Sequence, residues 1–270
     1  LEPAAGVTYS VDYEYAKVST DYVPRFFFSL TDVINEHGEI STTNTLSLAA
    51  SIVFNHGASV VACVQVDPVD GAVITQFRNA LAKLAPVSGI NIVVPLYTNP
   101  SFYADVKNHV TIASSVLERR ERIGIVGLSG SPALNTVTGY AQGLDSKRMV
   151  LCYPPSCLMT VGTDAESSTL DGSFIAAAVA GIRTSRAYDV ADPLTRKELV
   201  GFDSIPDALL RSEKNLLASN GVLVIENVGG IPRVRWGLTT DPSTVDAREV
   251  SIVEVIDFTG SSMRQLLEAI

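Results

Sequence analysis

The sequence predicts a three-layer α/β/α domain with a mostly parallel sheet, followed by a smaller α+β module. Between residues 59 and 183, short apolar strands alternate four times with helical segments. This pattern is typical of a parallel sheet that is covered by helices on both faces. After Arg183 the alternation stops and strands follow each other as a hairpin. The chain has 270 residues, 46% of them hydrophobic and 18% charged, so it can bury a large core.

The first segments are strand-like. Residues 7–18 alternate Val and Tyr with polar residues, and residues 24–30 contain three consecutive Phe residues, so both predict strands. Residues 43–54 have helical spacing and end at Asn55-His56-Gly57. Four strand–helix units follow, with strands predicted at 59–66, 90–95, 122–126 and 148–152 and helices at 69–84, 101–120, 134–144 and 171–183.

The segment after Arg183 is organised differently. Residues 184–201 form a polar connection and residues 205–220 are predicted to be mostly helical. The hairpin comprises residues 221–227 and 231–239, joined by Val228-Gly229-Gly230. A further strand is predicted at 250–258, before a final helix. The predicted domains are therefore 1–30, extended strands; 31–185, the α/β domain; and 186–270, a smaller α+β module.

Composition excludes several classes of protein. Lys and Arg number 20 against 29 Asp and Glu, a net charge of −9, which argues against a nucleic-acid partner. No apolar run reaches the length of a membrane span, so no membrane insertion is expected. Cys63, Cys152 and Cys157 are too few for a disulfide scaffold. Cys152 and Cys157 leave open a local bridge or half a metal site, but a reduced protein without metal or cofactor is the simpler expectation.

The best candidate for a catalytic loop is Gly127-Leu128-Ser129-Gly130-Ser131, between a predicted strand and a predicted helix. It lacks the final glycine of the G-x-S-x-G esterase motif, and no histidine follows it. Its glycine spacing also departs from the dinucleotide-binding motif, and no lysine stands where a phosphate-binding loop needs one. A tight turn with Ser129 or Ser131 as helix N-cap and Pro132 at the first helical position is favoured. An α/β hydrolase-like or nucleotide-binding enzyme that uses this turn remains the alternative.

Both ends of the sequence suggest a longer polypeptide. The first residue is Leu1 rather than Met, and the last eight residues form an amphipathic helix without a capping glycine. We therefore expect the chain to be the interior of a longer protein.

From about Asn44 onward the chain resembles the contractile tail sheath proteins of bacteriophages and related injection particles. The segments that carry the resemblance are Asn44–Ala50, Asn55–Ala58, Ile90–Leu96, Glu121–Gly127, Ser146–Leu151, Asp171–Gly181, Pro193–Lys197, Arg233–Thr240 and Arg248–Asp257. By the resemblance, residues 1–30 are the end of a variable insertion domain, and residues 186–270 are an incomplete C-terminal sheath domain without its arms. The resemblance implies a subtilisin-like α/β domain at 31–185 without the protease triad, and hence a structural subunit rather than an enzyme. It also implies hexameric rings stacked around a tail tube, terminal arms that add strands to neighbouring subunits, and contraction that drives the tube through the host envelope.

The expected partners are then other copies of the chain, the tail tube protein, the baseplate and the tail terminator. The expected location is the virion tail, after assembly in the host cytoplasm. Two charged segments are candidate subunit contacts, because Arg and Trp are favoured interface anchors. The candidate interface residues are Arg119, Arg120, Arg122, Arg233, Arg235 and Trp236.

Overall fold

The computed structural model describes residues 22–66, 73–162, 166–185, 187 and 189–268. Its strands are β1 (Arg25–Phe27), β2 (Val61–Cys63), β3 (Ile92–Val93), β4 (Ile123–Val126), β5 (Met149–Tyr153), β6 (Ser156–Thr160), β7 (Ser167–Asp171), β8 (Val222–Val228) and β9 (Ile231–Val234). Its helices are α1 (Leu30–His37), α2 (Thr45–Asn55), α3 (Val73–Leu84), α4 (Pro100–Ala113), α5 (Leu134–Leu144), α6 (Gly172–Arg183), α7 (Arg211–Ser219), α8 (Val245–Arg248) and α9 (Val250–Glu268).

A five-stranded sheet with the order β3-β4-β5-β8-β9 forms the centre of the fold. The first four strands are parallel, with Ile125 opposite Val150 and Leu151 opposite Val222. The last strand, β9, pairs antiparallel with β8. The inner strands β4 and β5 are apolar runs because both of their faces are buried. The predicted mostly parallel sheet is confirmed.

Alternate residues of the sheet enter two separate cores. Ile125, Val150 and Leu223 pack with α2 and α6 on one face. Val126 and Leu151 pack with α4, α5 and α7 on the other face. The helix α6 is almost entirely buried, and Asp171 caps its N-terminus by accepting a hydrogen bond from the N–H of Ser173. The predicted three-layer α/β/α arrangement is confirmed.

The hairpin after residue 220 extends this same sheet, since β8 pairs with β5. The outer edge of β9 is covered by the preceding connection: the N–H of Val234 donates to the carbonyl of Lys197 at 2.9 Å, and the N–H of Leu199 donates to the carbonyl of Pro232 at 2.9 Å. An edge strand covered in this way cannot pair with another chain. The domain boundaries after residues 30 and 185 stay predictions.

The strand predicted at residues 250–258 is wrong, because these residues open the 19-residue helix α9. Five β-branched residues, Val250, Ile252, Val253, Val255 and Ile256, favour a strand by local propensity. Tertiary contacts decide otherwise. Val250 and Val253 are buried, whereas the carboxylates of Glu254 and Asp257 bind Arg183 and Arg148. This spacing of contacts requires a helix.

The placement of the strand predicted at 59–66 is also wrong. Only Val61–Cys63 is a strand, and it pairs antiparallel with β1 in a separate two-stranded sheet. The main sheet therefore begins at β3. The strand predicted at 24–30 shortens to β1, because Ser29 accepts a hydrogen bond from the N–H of Asp32 and starts α1.

The predicted helix at 101–120 ends at Ala113, and that at 205–220 is helical only over α7. The helix expected from Pro132 begins at Leu134, with neither serine as its cap. The antiparallel hairpin of β6 and β7, between the predicted strand at 148–152 and the predicted helix at 171–183, was not predicted. The strand predicted at 7–18 and the first four residues of the helix predicted at 69–84 lie outside the described residues.

No helix among the described residues is long and apolar enough to cross a membrane.

Candidate assembly interface

The loop after α4 carries one group of predicted interface residues. Arg119 adopts a left-handed backbone conformation (φ 51°), which turns the chain back toward β4. Its guanidinium binds the carboxylate of Glu268 at 3.2 Å, and both side chains are more than half exposed. Arg120 binds Glu118 within the same loop. Arg119 and Arg120 therefore lie at the surface, where such ion pairs contribute little to stability.

Arg122 lies inside the protein and is 1% exposed. Its guanidinium donates to the carbonyls of Leu84 and Val87 and to Nε2 of His109, at 2.8 Å for the last contact. Burial and the Arg122 charge lower the pKa of His109 to about 4, so the ring stays neutral and Nε2 remains an acceptor. Arg122 thus joins the connection after α3 to the start of β4 within the subunit.

Large exposed apolar side chains lie at the end of α4, in this loop and in the C-terminal half of α9. The C-terminal half of α9 lies against the loop, because Arg264 binds Glu121 and Glu268 binds Arg119. Leu117 is 92% exposed and Val116 is 83% exposed. We call this surface the apolar rim; it consists of Ile112, Val116, Leu117, Met263, Leu266 and Leu267. Exposed apolar groups of this kind are typical of protein–protein contact surfaces.

The second group of predicted residues lies at the β9 end of the sheet. The Arg235 guanidinium stacks over the Trp236 ring, 4.3 Å from its centroid. It also binds Glu226 and donates to the Asn215 side chain at 2.9 Å. Trp236 is 37% exposed. This part of the surface is therefore a rigid aromatic and charged corner.

The structure brings the six predicted residues into two separate places. Arg233 binds Glu198 at 2.6 Å, on the segment that covers β9. The role of all six in subunit contacts stays a prediction. Sequence reasoning missed the apolar rim, although the amphipathic pattern of residues 263–268 was a signal for it.

The turn at residues 127–131 follows β4 at the carboxyl end of the sheet, where α/β enzymes bind ligands. A Cβ at Gly127 would lie 2.0 Å from the carbonyl oxygen of Gly172, so this glycine allows the turn to pack against the start of α6. A cavity of about 210 Å³ adjoins Ser131. Among the described residues no histidine lines it, and its one carboxylate, Asp207, binds Lys214 at 2.5 Å.

The three histidines have other contacts. His109 binds Arg122 at the opposite end of β4 from this turn. Nδ1 of His56 donates to the carbonyl of Ile52, and its Nε2 accepts from the N–H of Val200 at 3.0 Å. His37 packs edge-on against Phe27, with ring centroids 5.4 Å apart. A serine nucleophile at this turn would therefore lack a neighbouring base.

The three cysteines are free, buried thiols, so the bridge between Cys152 and Cys157 is not formed. Burial raises the pKa of Cys63 to about 12, which keeps it a protonated, unreactive thiol. Over the described ranges, the His, Cys, Asp and Glu side chains form no cluster of three or more that could hold a metal ion.

Comparison with known proteins identifies relatives of the chain. No protein-family model matches it. It is 32% identical over 231 residues, 83% of the chain, to the tail sheath protein of Mycobacterium phage Bxz1, and it spans 39% of that protein's length.

Two solved structures share the fold. One is the helical sheath of the anti-feeding prophage in the contracted state, with a TM-score of 0.67 and 14% identity, over 91% of this chain and 65% of the other. The second is the contracted baseplate of the same particle, with a TM-score of 0.69 and 16% identity, over 100% of this chain and 78% of the other. The resemblance seen in the sequence is confirmed: the chain is a homologue of the phage tail sheath proteins.

Proposed function

We propose that the chain is the folded body of a structural, non-enzymatic subunit of a contractile tail sheath. In this role copies of the subunit polymerise around the tail tube and contract to drive the tube through the host envelope. The observation that carries the proposal is the 32% identity to a tail sheath protein, which covers 83% of the chain. The likeness in fold to a contracted helical sheath supports it.

Subunit partners follow from this role. The chain is proposed to contact other copies in stacked hexameric rings, with terminal arms exchanged as strands. The baseplate is a further proposed partner, supported by the likeness to a chain in a contracted baseplate. The tail tube and the tail terminator are proposed neighbours as well. The proposed place is the virion tail, after assembly in the host cytoplasm.

The apolar rim is the proposed contact surface for a second copy. Its six side chains keep large apolar area in water in the isolated chain, and burying them against another subunit removes that cost. The ion pairs Arg119–Glu268 and Glu121–Arg264 hold the loop after α4 and the C-terminal half of α9 together. The Trp236 corner lies at the β9 edge of the sheet, apart from the loop before β4, so it suits a different neighbour in a helical assembly.

The test uses the complete polypeptide that contains this chain. We expect the purified protein to form particles that pellet on ultracentrifugation. Leu117→Asp places a charge in the proposed contact and should reduce the pelleted fraction at least about tenfold. Val245→Asp, at an exposed apolar residue of α8, is the matched control and should pellet like the unaltered protein. A complete protein that remains monomeric at high concentration would contradict the sheath role, whereas equal pelleting of both variants would contradict only the assignment of the rim.

The enzyme alternative at the Gly127–Ser131 turn is the competing proposal. It requires an activity that Ser129→Ala abolishes. The absence of a histidine near this turn among the described residues weighs against it.

A further inference from the structure

The long helix α9 is anchored to the protein at its N-terminal end. Its buried residues, Val250, Ser251 and Val253, all lie in the first turn. Val250 and Val253 belong to the same buried cluster as Ile175 of α6. From residue 254 to the end of the helix, every large apolar side chain is partly or largely exposed. Apolar packing therefore anchors the first turn, and the later turns need other contacts.

Charged side chains supply these contacts at four positions of α9. Each of the four binds a partner of opposite charge outside the helix; they are Glu254, Asp257, Arg264 and Glu268. Residues that are three, four or seven positions apart lie on the same face of a helix, so the four side chains form one charged stripe. The length of the helix beyond its first turn is thus attached to the rest of the protein through ion pairs.

These ion pairs become more exposed toward the C-terminal end of the helix. The first two carboxylates of the stripe bind Arg183 and Arg148, whose side chains are largely buried. The last two charged groups bind the loop after α4, where the side chains of Arg119 and Glu268 are 52% and 69% exposed. Ion pairs between exposed side chains contribute little to stability and are screened by salt. The C-terminal half of α9 is therefore held more weakly than the N-terminal half.

The residues between the two halves of α9 are poor helix formers. They are Thr259, Gly260, Ser261 and Ser262. Glycine loses the most backbone freedom in a helix, and serine and threonine side chains compete for backbone hydrogen bonds. Kinks in long helices occur at such glycine and serine positions. The space beside Gly260 is open except for the Arg264 side chain, 3.5 Å from where a Cβ would lie, so close packing does not require a glycine here.

We propose that residues 259–262 are a hinge, and that the helical segment 263–268 docks reversibly on the loop after α4. In the docked state, which is the one in the structure, the ion pairs Arg264–Glu121 and Arg119–Glu268 hold the segment in place. Docking completes the apolar rim, because half of its side chains belong to this segment and the other half to α4 and the loop after it. In the undocked state the rim is divided into two separate halves.

The hinge regulates the contact that the apolar rim is proposed to make, and this consequence rests on the proposed sheath role. A second copy that contacts the whole rim binds the docked state and shifts the equilibrium toward it. By linkage, a change that favours docking strengthens the binding of the second copy, and a change that opens the hinge weakens it. Ionic strength controls the docking, because the Debye length falls from about 10 Å at 0.1 M salt to about 3 Å at 1 M.

Hydrogen exchange of the complete polypeptide, at a concentration below that at which it pellets, tests the hinge. We expect the amides of residues 263–268 to exchange with one common protection factor, at least about tenfold faster than those of 254–257, and faster still in high salt. Glu121→Gln removes the partner of Arg264 and should accelerate this exchange about threefold. Asp105→Asn, which removes the partner of the exposed Arg78, is the matched control and should leave it unchanged.

A variant that stiffens the hinge gives the opposite result. Gly260→Ala should slow the exchange of residues 263–268 about fivefold, whereas Gly143→Ala in α5, which also has open space around it, should not affect it. A gradual increase in exchange toward the end of α9, as in simple fraying, or exchange that is independent of salt, would overturn the hinge.

The pelleting assay tests the regulation separately. Gly260→Ala should raise the pelleted fraction at limiting concentration, and Glu121→Gln should lower it. Pelleting that is the same in both variants, although their exchange differs, would overturn the regulatory role. A complete polypeptide that never pellets would contradict the sheath role, and the exchange of residues 263–268 would still decide whether the hinge exists.

Discussion

Arg183 is the residue through which α6 holds α9, and its replacement is the sharpest test of the packing. Its side chain is 3% exposed and binds Glu254 of α9, whose side chain is 16% exposed. The guanidinium also donates to the carbonyls of Val190 and Asp192, the second at 2.7 Å. Arg183→Met preserves most of the volume but removes three hydrogen bonds and leaves the Glu254 carboxylate without its cation.

The expected loss follows from these contacts. Removing one partner of a buried ion pair costs about 3–5 kcal/mol, and the partial exposure of Glu254 puts Arg183→Met near the lower limit, about 3 kcal/mol. Arg78→Met is the matched control, because Arg78 is half exposed and binds Asp105 at 2.9 Å. A surface pair of this kind contributes at most about 1 kcal/mol.

Urea unfolding and thermal melts, both followed by circular dichroism, measure the two variants. At about 2–4 °C per kcal/mol, the melting temperature of Arg183→Met should fall by about 6–12 °C. In the Arg183→Met variant, the second substitution Glu254→Gln should recover about 1 kcal/mol or more of the free energy of unfolding, because it removes the carboxylate that has lost its cation. If Arg183→Met were no less stable than Arg78→Met, the proposed role of this ion pair would be refuted.

Two further predictions concern single residues. Gly127→Ala should destabilise the protein by about 1–3 kcal/mol or more, because its Cβ would meet the backbone of Gly172. Gly139→Ala in α5 should instead stabilise the protein by about 0.5–1 kcal/mol, because its Cβ would meet nothing within 4 Å. Equal effects of the two substitutions in a thermal melt would contradict the close packing at Gly127. His109 has a folded-state pKa of about 4, below its usual 6.5, so the unfolded state takes up the proton first as the pH falls. Stability should therefore fall between pH 6.5 and pH 4 by up to about 1.4 kcal/mol per pH unit, and His109→Gln should flatten this dependence in urea titrations at each pH; an unchanged slope would contradict it.

The interior of the fold could be predicted from the sequence because burial on both faces leaves a simple pattern. The segments 122–126, 134–144 and 171–183 differ from β4, α5 and α6 by at most one residue at either end. Their apolar runs can be read from the sequence without knowing which elements pack against them. The central strands and their covering helices were therefore the most predictable part.

Features set by tertiary contacts could not be predicted. The β-branched residues of α9 favour a strand locally, and only the contacts of Glu254 and Asp257 show that they form a helix. The apolar run at 59–66 gives no sign that β2 stands apart from β3. Arg122 belongs to a charge run, which usually lies at the surface, yet its three acceptors come from other segments and bury it. Exposure of the apolar rim likewise depends on where α9 packs.

Cryo-electron microscopy of the particles formed by the complete polypeptide tests the central claim most directly. The sheath role predicts hollow helical tubes built of stacked rings, whose subunit density fits the five-stranded sheet with α2 and α6 on one face and α4, α5 and α7 on the other. Compact particles without a central channel, or a protein that forms no polymer at any concentration, would contradict it.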